Sequence, residues 1–206
     1  MSYLRPDIRQ RAEDLVALYP HKRSAMLPLL HLAQEQDGYL TEEGMTEVAE
    51  LTGTTPAEVR GTATFYDMFH LEPVGKYVVG ICTNIACLLA GGEELLEHAT
   101  KTLGCAVGAT SADGLFTLEE TECLADCNIA PTVQVNHRYV RTTTPEALDA
   151  LVAELRDGRR EDEIPPHGTL IRVRRSGGLR ATRAQVAAER EAAQKAREAR
   201  AAQETK

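Results

Sequence analysis

The chain of 206 residues contains no tryptophan, and aromatic residues make up only 4% of it. It has no run of about 18 apolar residues, so we expect no helix that spans a membrane. The first residues, from Met1 to Pro6, lack the apolar stretch of a secretory signal, which predicts a cytoplasmic protein in a reducing compartment. Hydrophobic residues nevertheless make up 43% of the chain, which is enough for a packed core.

Several motifs of nucleotide-binding and hydrolytic enzymes are also missing. The sequence has no glycine-rich dinucleotide fingerprint, no phosphate-binding P-loop and no serine nucleophile elbow. We therefore expect no nucleotide or flavin site, and no complete active site, in this chain alone. A redox role would then consist of exchanging electrons with a partner that carries the substrate chemistry.

Charge is unevenly distributed along the chain. Residues 1–165 hold 13 Lys and Arg against 27 Asp and Glu, whereas residues 166–206 hold 10 against 4. Because a nucleic-acid-binding domain presents a basic face, the acidic body of this chain predicts no nucleic-acid partner. The basic segment from residue 165 to residue 206 is rich in alanine, glutamate and arginine, which predicts a partly helical tail.

Four of the five cysteines lie in two close pairs, Cys82-x4-Cys87 and Cys123-x3-Cys127, which are separated by 35 residues. A reducing compartment and an odd number of cysteines both argue against disulfides. Two local pairs brought together by a fold would make a four-thiolate site, and thiolates select iron–sulfur clusters or zinc. Cys105 has no partner nearby in the sequence and is predicted to be a buried bystander.

Zinc is the main chemical competitor for these cysteines. Structural zinc sites most often use pairs spaced by two residues, so the wider spacings here mildly favour a [2Fe–2S] cluster. The histidines show no clustered spacing and are expected to be surface or packing residues: His21, His31, His70, His98, His137 and His167. A zinc-stapled interaction module and a thiol sensor remain as alternatives, whereas thioredoxin-type chemistry would need a C-x-x-C motif, which is missing.

Residues 1–72 are predicted to form a small bundle of four short helices. Apolar residues recur there at helical spacing, with short links between the periodic stretches. Gly38 and Gly53 are the predicted stops of the second and third helices. The fourth helix has the clearest start, because Thr55-Pro56-Ala57-Glu58 combines an N-cap, a proline at the first helical position and a capping box.

Residues 73–164 are predicted to form a second, layered domain of strands and helices. A buried strand over Tyr77–Ile81 runs straight into Cys82, and a helix is predicted from Leu88 to Leu103. Thr144-Pro145 opens a final helix. The other predicted strands, the last two of which are joined by a hairpin turn at Asn136-His137, are Leu115–Leu118, Pro131–Val135 and Tyr139–Val140.

Three motifs follow one another along the chain: Gly61-Thr-Ala-Thr-Phe-Tyr-Asp-Met-Phe69, Cys82-Thr-Asn-Ile-Ala-Cys87 and Cys123-Leu-Ala-Asp-Cys127-Asn-Ile-Ala-Pro131. Together they resemble the family of 24 kDa-type [2Fe–2S] subunits of respiratory complex I, which is NADH-quinone oxidoreductase. Roughly residues 10–155 take part in this resemblance. Any one of the motifs alone would be a weak signal, but their order and spacing make the combination specific.

The resemblance implies an α+β chain in which a thioredoxin-like [2Fe–2S] ferredoxin domain follows the small helical bundle. It implies one cluster, with Cys82, Cys87, Cys123 and Cys127 as its ligands. It also implies an electron-transfer subunit of NADH:quinone oxidoreductase that exchanges single electrons with FMN on the partner subunit that oxidises NADH.

Other implied partners are further subunits of the peripheral arm of the complex. The complex would hold the chain at the cytoplasmic face of the membrane without direct insertion. The same module is found in diaphorase units of NAD-linked hydrogenases and formate dehydrogenases, so the type of holoenzyme stays open at this point.

The chain departs from the family between the third and fourth implied ligands. The family often has a glycine there, whereas this chain has Ala125-Asp126. Asp126 adds a carboxylate beside the implied cluster. Because reduction makes a four-thiolate [2Fe–2S] centre more negative, we expect this carboxylate to lower the midpoint potential.

Overall fold

The computed structural model describes residues 2–168, which form seven α-helices, two short 3-10 turns and one four-stranded sheet. The helices are α1 (Pro6–Val16), α2 (Met26–Asp37), α3 (Glu42–Thr52), α4 (Pro56–Phe65), α5 (Ile85–Leu89), α6 (Gly92–Leu103) and α7 (Pro145–Arg156). The strands are β1 (Tyr77–Cys82), β2 (Phe116–Thr121), β3 (Val133–Val135) and β4 (Arg138–Val140), and the 3-10 turns span Lys22–Ala25 and Cys127–Ile129.

Most of the predicted tail, from residue 169 to residue 206, lies outside the described residues. None of the helices within residues 2–168 combines the length and the hydropathy that a membrane span requires.

Three ends of the N-terminal helices fall at the residues that the sequence predicts. The Thr55 hydroxyl accepts from the Glu58 N–H at 3.3 Å, and the Glu58 carboxylate accepts from the Thr55 N–H at 3.0 Å, which completes the capping box of α4. Gly38 ends α2 with φ 80°, and Gly53 ends α3 with φ 67°. Both glycines adopt the left-handed conformation that favours glycine at this position.

Helices α1 to α4 share one hydrophobic core. Leu29 and Leu30 of α2, Val48 of α3 and Val59 of α4 are completely buried in it, and the cluster extends to Phe69. Burying an aliphatic side chain of this size contributes roughly 1.5–3 kcal/mol. The first 70 residues or so of the chain therefore have an apolar cluster of their own.

Glu47 is a charged group inside this helical region, with only 4% of the residue exposed. Its carboxylate accepts from the N–H groups of Tyr3 at 2.6 Å and Leu4 at 2.8 Å, from the Ser2 hydroxyl at 2.5 Å and from the Arg9 guanidinium. Burial raises the pKa of this carboxyl, but the hydrogen bonds outweigh burial and hold the pKa below its ordinary value. These hydrogen bonds thus hold the N-terminal segment against α3.

We expect Glu47→Gln to lower the free energy of unfolding by about 2–3 kcal/mol at neutral pH, because hydrogen bonds to a charged acceptor are lost. The contribution of Glu47 is fully present above its unfolded-state pKa and is lost as the pH falls through the lower folded-state pKa. The difference between wild type and variant should therefore shrink in acid, as urea unfolding at several pH values would show. The matched control is Glu50→Gln on the exposed face of α3, and an equal loss there would contradict this account.

The strand order in the sheet is β2-β1-β3-β4. Strand β1 pairs in parallel with β2 and antiparallel with β3, so that Val79 lies between Leu118 and Val135. Strands β3 and β4 form a hairpin whose turn residues, Asn136 and His137, have φ 49° and 61°. The predicted hairpin turn is confirmed, with the positive φ angles at both central residues that a tight turn of this kind requires.

Helices α6 and α7 cover one face of the sheet. Alternate residues of β1, namely Tyr77, Val79 and Ile81, belong to the second hydrophobic core together with apolar residues of both helices. Since side chains alternate between the faces of a strand, Cys82 belongs to the other set. The members of this core that the helices supply are Leu95, Ala99, Leu103, Leu148, Leu151, Val152 and Leu155.

The connection after β1 differs from the prediction. The single helix predicted from Leu88 to Leu103 is divided into α5 and α6 at Gly91, which has φ 91°. A residue in the left-handed conformation ends the regular helical ladder, and glycine adopts it without steric cost. The division places Cys87 on the short helix α5 and lets α6 begin at Gly92.

Candidate metal centre

The first cysteine pair is buried at the carboxyl end of the central strand. Cys82 is the last residue of β1, and its N–H donates to the Thr132 carbonyl at 3.0 Å. Cys87 lies in the middle of α5, which Asn84 caps by accepting from the Ile85 N–H at 3.0 Å. Cys82 is 2% exposed and Cys87 is 1% exposed, so this half of the site is closed to solvent.

The second pair lies in the loop between β2 and β3, and both of its thiols are exposed. Cys127 begins the second 3-10 turn. Ala125, between the two cysteines, has φ 61°, a left-handed conformation that is uncommon for a residue with a side chain. Tyr139 supports the loop, because its hydroxyl donates to the Leu124 carbonyl at 2.6 Å.

The fold brings the two pairs together. The side chains of Cys82 and Cys87 interact with each other, and so do those of Cys123 and Cys127. The Leu124 N–H, in the loop of the second pair, opposes the effect of burial on the pKa of Cys82, so this loop lies beside the first pair. The charges of Cys82 and Cys87 also act on Cys127, so the two pairs are neighbours and form the two halves of one candidate site.

The pKa values of the thiols reflect this arrangement. Burial raises the pKa of Cys82 more than the hydrogen bonds from Leu124 and Asn84 lower it. Burial also opposes ionisation of Cys87, but hydrogen bonds from Thr132 and from the Cys82 thiol outweigh it and lower the pKa. The charge of Cys123 raises the pKa of Cys127, with smaller contributions from burial and from the charges of the buried pair.

Two close pairs of sulfurs can serve two metal ions. A structural zinc site needs four ligands around one ion. A [2Fe–2S] cluster has two irons that share four thiolates, so one close pair can serve each iron. The donor set and its division into pairs therefore fit a [2Fe–2S] cluster.

Gly92 and Thr132 both lie directly against the segment that carries the buried cysteines. At Gly92, the first residue of α6, a Cβ would lie 2.8 Å from the Cys82 carbonyl oxygen and 2.9 Å from the Cys87 carbonyl oxygen. The absence of a side chain lets α6 begin directly behind the buried cysteines. Thr132, which is 3% exposed, donates its N–H to the Cys87 sulfur at 3.4 Å. Sequence spacing gave no signal for either residue, because Gly92 acts by lacking a side chain and Thr132 lies 45 residues after Cys87.

Cys105 lies outside the site. It is partly buried and packs against the second hydrophobic core. Burial raises the pKa of its thiol above the ordinary value, which keeps the thiol protonated and unreactive. The prediction of a bystander agrees with this environment.

A small α+β domain with two thiol pairs at the end of its central strand defines a thiolate-ligated metalloprotein. A family model described as thioredoxin-like [2Fe–2S] ferredoxin matches residues 12–156. The chain belongs to this family, and its cofactor is a [2Fe–2S] cluster, which decides against the zinc alternative. The predicted α+β fold with a thioredoxin-like ferredoxin domain is confirmed.

Curated relatives agree with this family. The chain is 44% identical over 155 residues to NADH-quinone oxidoreductase subunit 2 of Thermus thermophilus, with 74% of this chain and 86% of the relative covered. It is 40% identical over 157 residues to an NADH-quinone oxidoreductase subunit of Rhizobium meliloti, with 76% and 94% covered. For an NADH-quinone oxidoreductase subunit of Mycobacterium tuberculosis the identity is 42%, and the match spans 73% of this chain but only 62% of that longer relative.

Among solved structures, an NAD+-reducing [NiFe]-hydrogenase in the air-oxidized state is similar with a TM-score of 0.58. The match covers 68% of this chain and 24% of the hydrogenase chain at 24% sequence identity. At that level of identity the likeness establishes a shared fold.

Proposed function

We propose that this chain is the electron-transfer subunit of an NADH:quinone oxidoreductase, in which Cys82, Cys87, Cys123 and Cys127 ligate one [2Fe–2S] cluster. The observation that carries the proposal is the convergence of two cysteine pairs in a chain that is 44% identical to a subunit of such an enzyme. The bound cluster would supply one-electron chemistry, while the protein supplies placement and electrostatics.

The residues of the chain divide this task between the two halves of the site. The Thr132 N–H donates to Cys87 of the buried pair, and the N–H groups of Asn84 and Leu124 oppose the effect of burial on the pKa of Cys82. Such donors stabilise negative charge on sulfur and tune the potential of a metal centre. The exposed pair, Cys123 and Cys127, opens the site to its surroundings. We infer that electrons enter and leave through this exposed side.

A partner subunit that carries FMN and oxidises NADH would meet this exposed side. Apolar residues lie close in sequence to the cysteines and are unusually open: Ile85 is 73% exposed and Leu89 is 84% exposed. Tyr139, which supports the second loop, is 57% exposed. Exposed apolar residues next to a polar loop are typical of a protein–protein interface. Further peripheral-arm subunits would attach the assembly to the cytoplasmic face of the membrane.

Metal analysis combined with electron paramagnetic resonance tests the proposal most directly. We expect about two irons per chain and a rhombic spin-half signal after reduction with dithionite, because a reduced [2Fe–2S] centre has one unpaired electron. The protein should be purified anaerobically as the full chain. Stoichiometric zinc without a signal would contradict the proposed function.

A diaphorase unit of an NAD-linked hydrogenase or formate dehydrogenase is the second candidate. This candidate is supported by the fold that the chain shares with an NAD+-reducing [NiFe]-hydrogenase. Purification of the assembled complex from its source, followed by NADH oxidation with a quinone or with hydrogen production as the readout, separates the two candidates. We expect quinone reduction, and NADH-linked hydrogen production would establish the alternative.

Asp126 should lower the midpoint potential of the cluster, as the sequence predicts. It directly precedes Cys127, and its carboxylate adds negative charge where reduction adds more. We expect Asp126→Asn to raise the midpoint by about 30 mV, which is roughly a threefold change in the equilibrium constant for one electron. A redox titration followed by electron paramagnetic resonance measures this shift. An unchanged midpoint would show that solvent screens the carboxylate.

A further inference from the structure

Thr132 connects the two halves of the site. It is buried, its N–H donates to the Cys87 sulfur at 3.4 Å, and its carbonyl accepts from the Cys82 N–H at 3.0 Å. Its hydroxyl oxygen lies 3.6 Å from the Cys87 sulfur and 3.1 Å from the carbonyl oxygen of Asp126, which lies between the second pair of cysteines. One side chain thus contacts a buried ligand and the exposed loop.

The Thr132 hydroxyl has one proton and several neighbours that could accept it. With Cys87 as a thiol, the sulfur donates to the hydroxyl oxygen, and the hydroxyl donates to the carbonyls of Asp126 and, at 3.4 Å, Ile129. A hydroxyl can donate only one proton but can accept at two lone pairs. The direction of its hydrogen bond with Cys87 therefore depends on the protonation of the sulfur.

A metal-bound Cys87 has lost its proton. The contact of 3.6 Å would then bring lone pairs of sulfur and oxygen together unless the hydroxyl turned its own proton toward the sulfur. Turning leaves the Asp126 carbonyl satisfied, because the Ile129 N–H also donates to it at 3.0 Å. A hydrogen bond to an anionic sulfur is stronger than one to a neutral carbonyl. It is therefore favourable for the Thr132 hydroxyl to donate to the Cys87 sulfur in place of the Asp126 carbonyl.

We propose that Thr132 is a positioning residue for electron transfer, whose hydroxyl turns from the Asp126 carbonyl to the Cys87 sulfur and thereby raises the midpoint potential of the centre. The inference rests on the proposed ligation by Cys87. The hydroxyl stabilises the ligand sulfur more as that sulfur becomes more negative, and hydrogen bonds to sulfur are among the factors that set such potentials. Thr132 and Asp126 then act in opposite directions on the same centre.

The test compares Thr132→Val, which replaces the hydroxyl with a methyl group of similar size, with Thr132→Ser, which keeps the hydroxyl. Midpoints are measured by redox titration of the full chain with electron paramagnetic resonance detection. We expect Thr132→Val to reduce the equilibrium constant for reduction about tenfold, equal to about 59 mV for one electron, and Thr132→Ser to stay close to wild type. An unchanged midpoint in Thr132→Val would overturn the proposal.

Two controls distinguish an effect of the Thr132 hydroxyl on the midpoint potential from a purely structural role in supporting the loop of the second cysteine pair. Thr52→Val removes another buried hydroxyl that donates to backbone carbonyls, but in α3, and should leave the midpoint unchanged. Electron–nuclear double resonance of the reduced protein, compared in ordinary and deuterated water, should reveal an exchangeable proton that wild type and Thr132→Ser have and that Thr132→Val lacks. Absence of that proton in wild type would overturn the proposal whatever the variants do.

If Thr132→Val and Thr132→Ala, whose side chain is smaller, both lose the cluster, then Thr132 has a structural role and the proposal is wrong. The failure of the proposed function would be recognised separately, because wild-type protein would then lack the iron and the spin-half signal.

Discussion

The substitution Cys82→Ser is expected to remove the cluster and to destabilise the domain that holds it. Cys82 is buried at the end of β1, where burial raises the pKa of its thiol and the N–H groups of Leu124 and Asn84 partly offset this effect. A hydroxyl is a poor substitute for a thiolate toward iron. We expect iron content to fall at least about tenfold, because even residues behind the ligands change metal affinity by roughly 10–100-fold. Since metal binding contributes to folding free energy, thermal unfolding should occur at lower temperature.

Cys105→Ser is the matched control for this experiment. Cys105 is partly buried against the same core but lies outside the site, so its substitution should leave iron content and visible absorption unchanged. Cys127→Ser tests the exposed half: it should also remove the cluster, but the apoprotein should be less destabilised than that of Cys82→Ser because Cys127 is exposed. Visible absorption retained at the wild-type level in Cys82→Ser or Cys127→Ser would contradict the ligand assignment.

The sequence predicts the parts of this fold that depend on local chemistry. The capping box at Thr55 and the left-handed glycine at Gly38 are determined within a few residues, and both are confirmed. The hairpin at Asn136-His137 follows from turn residues, and the predicted buried strand Tyr77–Ile81, which the structure extends to Cys82, follows from an apolar run. The pairing of cysteines could be proposed from spacing, because each pair is local in sequence.

The sequence analysis does not predict two other features, which are the break between α5 and α6 and the contact between Thr132 and Cys87. Gly91 interrupts an apolar pattern that would otherwise suit one continuous helix, and only the structure reveals the break. Thr132 lies 45 residues after Cys87, yet its N–H contacts that sulfur. The positive φ of Ala125 shows why a glycine would suit this position, since the left-handed conformation costs a residue with a side chain roughly 1–2 kcal/mol.

Gly92→Ala is expected to have the second large effect, although it adds only one methyl group and touches no sulfur. The new Cβ would lie 2.8 Å from the Cys82 carbonyl oxygen and 2.9 Å from the Cys87 carbonyl oxygen. Both are backbone atoms of the segment that carries the buried pair, so neither can yield by a change of rotamer. Either α6 must shift or the segment from Cys82 to Cys87 must move, and overpacking of this kind costs roughly 1–3 kcal/mol. We expect a destabilised domain that has lost most of its iron.

Gly61→Ala provides the matched comparison, because Gly61 also lies in a helix but nothing lies within 4 Å of the position that its Cβ would occupy. Alanine is the better helix former by about 1 kcal/mol, so this variant should be as stable as wild type or more stable, with full iron content. Iron content and the free energy of unfolding in urea, measured for Gly92→Ala and Gly61→Ala, test this expectation. If Gly92→Ala bound iron like Gly61→Ala, close approach of α6 to the cysteine segment would not be needed for the site. Loss of iron in Gly92→Ala alone would show that the geometry of the buried pair depends on the start of a helix that supplies no ligand.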